Sequence, residues 1–174
     1  MTGMSVFLLA RFLHVVAGVA WAGAVILIGF FITPAVRAVG PAGGAVLQQL
    51  VRVQRMSLYL MIMMAFTILS GFALYWLDIK AFGPAWIHTG PGRTFSAGAA
   101  FAIITAVVGM VVNLPTAKKL GAIMGSVQAS GKPPSAEQGA ELGRLQNRLL
   151  RMGQLSAVLT LLAVTCMGVA RYIP

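Results

Sequence analysis

Acidic side chains are almost missing from this sequence: Asp78, Glu137 and Glu141 are the only three in 174 residues. None sits within an apolar run, which argues against a proton-coupled carrier built on an intramembrane carboxylate relay. Cysteine is scarcer still. The lone Cys166 excludes an internal disulfide and any paired-cysteine metal knuckle, and its ordinary role is that of a small buried hydrophobe. Charged residues make up 9% of the chain, where a soluble domain carries about 25%. Walker loop, nucleophile elbow and HExxH zinc motif are all absent.

What is present is apolar. Hydrophobic residues make up 59% of the chain and the mean hydropathy is +0.88, so the expected fold is all-α, an integral membrane four-helix bundle forming a single domain over 1–174. The first apolar run, 12–36, is too long for the core of a cleaved leader and reads as a span. Spans are expected at about 5–34, 56–77, 94–114 and 152–172, with Pro34 ending or kinking the first and Asn113-Leu114-Pro115 ending the third. Amphipathic segments are expected at about 45–55 and 116–151. In the first, Leu47, Leu50 and Val51 oppose Gln48, Arg52 and Arg55. In the second, Ser135 and Gln138 have capping-box spacing. The stretch 79–93, with three glycines and two prolines, reads as irregular, and Phe82 and Trp86 suggest that it lies on the headgroups.

The net charge of +10 resembles a nucleic-acid signature, but its distribution follows topology. Arg37, Arg52 and Arg55 lie in the first loop, and Lys118, Lys119, Lys132, Arg144, Arg148 and Arg151 lie in or beside the third. Only Lys80 and Arg93 lie in the second. Loops one and three are therefore expected in the cytoplasm and both termini on the outer, periplasmic side of a bacterial inner membrane. Arg144, Arg148 and Arg151 are expected to meet anionic lipid headgroups rather than nucleic acid.

One stretch concentrates chemistry: Arg11 to Gly23, R-F-L-H-V-V-A-G-V-A-W-A-G. At about 3.6 residues per turn, Arg11, His14, Gly18, Trp21 or Ala22, and Val25 share a face. An ionisable ring at membrane depth needs a partner, so this face is expected to meet protein or a cofactor. Imidazole is a good haem-iron ligand, and helical bundles hold cofactors on inward side chains. On that reading His14 binds the metal of a haem b, Gly18 makes room for the macrocycle and Trp21 packs on its edge. Arg11, Arg93 or Arg171 then pairs with the propionates at the outer surface. The second axial ligand is open between His88, Met110, Met167 and a histidine from a second copy in a homo-oligomer. The competing reading is a histidine hydrogen-bonded to a neighbouring helix without any cofactor. Met61, Met63 and Met64 spread around their helix and read as packing residues. Gly18 and Ala22, and Gly98, Ala102 and Ala106, form small-residue rows that favour close helix packing.

The Arg11, Leu13-His14, Trp21 and Gly23 pattern resembles the first helix of a superfamily of small bacterial membrane proteins. That superfamily includes HemJ-type protoporphyrinogen oxidases, the membrane domain of cytochrome-c-fused urate oxidases and CopD-like copper-resistance proteins. Looser matches are Leu69-Ser70-Gly71 with Tyr75-Trp76, Asn113-Leu114-Pro115, and Ala170-Arg171-Tyr172. The resemblance implies His14 as a b-haem ligand. It departs from the oxidases in having Lys80, Lys118, Lys119 and Lys132 all outside the spans, where those enzymes use a lysine within the membrane domain. The functional expectation is membrane electron transfer, to or from quinone or a partner protein, with no catalytic residues assigned; as an enzyme it would be a membrane oxidoreductase. The alternative is a non-catalytic accessory subunit of a larger respiratory or photosynthetic membrane complex, and the third is a transporter of small solutes or metals.

Overall fold

A computed structural model describes residues 3–174, apart from the side chains at 3, 41, 42 and 52; the polar-face expectation for Arg52 lies outside the described residues. Among the described residues the chain is all-helical. Four long helices carry the apolar runs: α1 (Met4–Ala38), α3 (Met56–Phe82), α4 (Gly90–Ser130) and the helix beginning at Ala136. Each is long and apolar enough to cross a membrane, which makes this a multi-pass membrane protein. A short helix, α2 (Pro41–Gln48), links α1 to α3, and α5 (Ala136–Val169) is followed by a single tight turn, Ala170–Tyr172.

The helices run up and down, so both termini lie at one end with the 83–89 connection. The other, basic end carries Arg37, Arg55, Lys118, Lys119, Lys132, Arg144, Arg148 and Arg151. Packing is in two antiparallel hairpins, α1 with α3 and α4 with α5, joined along α1 and α5. Glycines set the crossings. A Cβ on Gly29 of α1 would lie 2.5 Å from the Gly153 carbonyl of α5, and one on Gly98 of α4 would lie 3.0 Å from Cys166 Cβ. Gly98 and the buried Ala106 thus act as packing residues in the α4–α5 hairpin.

Pro34, expected to end or kink its helix, and Pro115, expected to end its own, both sit within helices that continue past them. Immediately before each proline the helix opens by one residue. Thr33 N–H bonds to the Ile28 carbonyl and Leu114 N–H to the Gly109 carbonyl, five residues back rather than four. A pyrrolidine ring clashes with the carbonyl four residues earlier and has no N–H to give it. The widened turns, Ile28–Ile32 and Gly109–Asn113, relieve that clash and let the helices continue to Ala38 and Ser130.

The 79–93 stretch is also more regular than its composition suggests. α3 continues to Phe82, a tight turn covers Pro84–His88, and α4 starts at Gly90. Thr89 caps α4 by accepting from Gly92 N–H at 3.2 Å, and Pro91 fits the first turn, where no N–H is needed. A Cβ on Gly92 would lie 2.1 Å from the Trp86 carbonyl, so only glycine allows the turn to fold back this closely. Trp86, expected to lie out over the surface, is packed inward instead: it is 9% exposed, edge-on to Tyr75 at 5.3 Å and stacked on Phe95 at 6.2 Å. Phe82 stays exposed. Ser135 and Gln138 do form a capping box at the start of α5.

Candidate functional site

His14 lies on the seam between α1 and α3. Its Nδ1 is 2.9 Å from the Thr67 carbonyl, and a carbonyl can only accept, so Nδ1 carries the proton. In the neutral ring the lone pair is then on Nε2, which has no hydrogen-bond partner among the described residues. Ser70 Oγ, 3.5 Å from Nδ1, donates to the Phe66 carbonyl, and Thr67 Oγ1 donates to the Met63 carbonyl at 2.7 Å. Both hydroxyls thereby return their protons to their own helix. The Thr67 carbonyl is left to accept from His14, with a weaker approach from Ser70 at 3.2 Å. Gly71 completes the pocket, since a Cβ there would lie 2.9 Å from His14 Cε1. The first-helix motif and the Ser70-Gly71 motif thus meet face to face.

The other expected site residues divide into two groups. Gly18 faces Thr67, whose Cγ2 lies 3.7 Å from where a glycine Cβ would be, so the gap at Gly18 is filled by α3. Trp21 is 6% exposed and packed within the bundle. Arg11 and Arg171, both exposed, lie at the termini end near enough to Asp78 for their charges to act on its carboxyl. His88 and Arg93 are exposed at the same end, and no hydrogen bond or ion pair joins either to His14. Met167 lies against Gly98 in the α4–α5 crossing, and Met110 faces a cavity near the opposite end.

These residues can be tested against a haem. His14 fits an axial ligand, because a backbone carbonyl fixes its tautomer and orientation and leaves Nε2 to bind iron. Gly18 does not fit as the space for the macrocycle, because the Thr67 methyl, 3.7 Å from where a Cβ would be, leaves room there for a methyl group and not for a ring system. No group of three or more His, Cys, Asp or Glu that could hold a metal ion forms among the described residues.

The cavity near the basic end takes in Asn113 and Leu114 of the Asn113-Leu114-Pro115 motif together with Met61 and Met64, residues to which the sequence assigned no common site. It has a volume of about 180 Å³ and is lined by residues from all four spans and α2. The two widened turns before the prolines contribute, through Ile28, Gly29 and Ile32 on one side and Gly109, Met110 and Asn113 on the other, and a third, Gln49–Val53, contributes Val51. From α2 and the turn after it, Leu47 and Val51 close one wall, as expected of the apolar face of that segment. α3 and α4 are fastened near the termini end, by the 2.6 Å Tyr75–Ser96 bond and the Trp86 plug. Further along they diverge, and Met61 and Met110 are left exposed on either side of the opening.

The sequence matches no protein-family model, and neither a curated protein nor a solved structure is significantly similar to it.

Proposed function

We propose that this multi-pass membrane protein binds one b-type haem through His14 and serves in membrane electron transfer. The observation that supports this reading is the 2.9 Å contact of Nδ1 with the Thr67 carbonyl, which leaves the Nε2 lone pair free to bind a metal. A bound haem would supply a one-electron carrier. Because the Thr67 methyl stands against Gly18 in the α1–α3 seam, a haem held by His14 would lie away from Gly18, and a further protein ligand, where there is one, would be His88 or a histidine of a second copy. Arg11, Arg93 or Arg171 would pair with the propionates, Arg11 and Arg171 in competition with Asp78. The proposal includes the topology, with loops one and three in the cytoplasm of a bacterium and the termini outside. It also includes the likeness of the Arg11–Gly23 segment to the superfamily of small bacterial membrane proteins.

The filled gap at Gly18 favours a second reading, in which His14 is a hydrogen-bonded pin between α1 and α3 and the protein is a non-catalytic accessory subunit. A pyridine-haemochrome assay on gently solubilised protein from haem-replete cells separates the two. Stoichiometric haem in the wild type, lost in His14→Ala, is the expected result. Colourless wild-type protein that co-purifies with larger membrane subunits would replace the cytochrome reading with the second one.

A further inference from the structure

We infer that the cavity at the basic end is a binding site for a lipid-soluble molecule with a hydroxyl head, such as a hydroquinone, entered from the bilayer between α3 and α4. The inference does not depend on haem at His14. It begins with Asn113, at the end of the widened turn before Pro115. Ser156 has one hydroxyl proton and gives it to the Met152 carbonyl at 2.9 Å, so its oxygen must accept from Asn113 Nδ2 at 3.2 Å. That fixes the orientation of the amide and leaves Asn113 Oδ1 buried with no donor among the described residues.

An unpaired buried carbonyl oxygen is costly, and in a native protein it calls for an explanation. Asn113 also lines the cavity, so a small rotation of its amide against a bound hydroxyl would supply the missing donor. The rest of the lining suits a lipophile. Met56, Met61, Met64, Met110 and Met124 surround the space with flexible, polarisable thioethers, which adapt to a ring or chain of varied shape. A volume of about 180 Å³ compares with the roughly 150 Å³ dry cavities that take one benzene ring. Widened helical turns recur at functional sites, and here three of them, in α1, in α4 and after α2, contribute to the lining of one space.

The test is equilibrium binding of radiolabelled decylhydroquinone to the full-length protein in nanodiscs, kept anaerobic, beside its dimethyl ether. The ether has the same ring and tail and accepts hydrogen bonds but cannot donate one. Saturable hydroquinone binding is expected, with the ether roughly tenfold weaker, the worth of one buried hydrogen bond. Asn113→Leu should bring the two ligands level. Gly109→Phe should abolish binding of both, because nothing lies within 4 Å of a Cβ at Gly109 and the ring can fill the cavity. His14→Ala should leave the hydroquinone affinity unchanged, which separates this site from the haem question. Equal binding of both ligands to the wild type would mean that an acyl chain serves as well and would overturn the proposal. So would unchanged discrimination in Asn113→Leu, or no binding at all.

Discussion

Gly71 and His14 compete for one small volume, and that competition can be measured. A methyl group at residue 71 would stand 2.9 Å from His14 Cε1, so Gly71→Ala must displace the imidazole and with it the bond to the Thr67 carbonyl. Overpacking of this kind costs about 1–3 kcal/mol. In a His14→Ala background the same substitution should be close to neutral, and thermal or SDS unfolding of the four proteins of this cycle reads the coupling. Additive effects would mean that the ring does not sit against Gly71. Gly29 offers the contrast, because a Cβ there would lie 2.5 Å from the Gly153 backbone carbonyl rather than from a movable side chain. Gly29→Ala should be destabilising in every background. The importance of His14 was legible in the sequence because a titratable ring in an apolar run has to be explained. Its acceptor was not, since any carbonyl on any neighbouring helix can accept and only the packed bundle selects Thr67.

At the scale of elements, proline was the misleading signal. Pro115 read as a boundary and Pro34 as a boundary or a kink, because proline removes a donor and crowds the carbonyl behind it, yet each helix absorbs its proline by opening one turn. The extra residue in such a turn rotates the two halves of the helix relative to each other, and this keeps Asn113 on Ser156 and at the cavity wall. Pro115→Ala, by allowing a regular α-helix, should raise the unfolding midpoint while lowering decylhydroquinone affinity; unchanged affinity would separate the turn from the cavity. A second element-scale prediction concerns the bridge between α4 and α5. Arg144 and Lys119, at 2.9 and 2.7 Å, hold the Glu141 carboxyl down from its ordinary 4.5 to about 2. A depressed carboxylate stabilises the fold above its unfolded value and loses that contribution as the pH falls through its folded one. Wild type and Glu141→Gln should therefore differ slightly above about pH 5 and converge towards pH 2, with the difference also screened by salt because all three groups are at the surface.

For the whole molecule, the four long apolar helices could be read directly from the composition, since a chain with so few charges has nowhere to form another fold. Of their ends, the start of α5 was legible in the Ser135–Gln138 capping box, but the end of α4 was not. Apolar runs stop where lipid stops, whereas α4 and α5 continue well past theirs as polar helices, to Ser130 and from Ala136. The cavity was invisible for a related reason: its lining comes from five helices and converges only after packing. The proposed orientation can be tested with a membrane-impermeant maleimide in a Cys166→Ala background. Cysteine at the exposed Ala85 should label in intact spheroplasts, and cysteine at the exposed Ser130 only after permeabilisation. The reverse pattern would invert the topology.

The seam between α3 and α4 is sealed by Tyr75, Ser96 and Trp86 near the termini end and parts towards the basic end. A slit closed at one end is a valve with a side. With the proposed orientation, only molecules in the cytoplasmic leaflet can enter it, so occupancy would track the composition of that leaflet alone. A lipophile delivered to the outer leaflet would have to flip across before this protein could sense it, and its flip rate would set the delay.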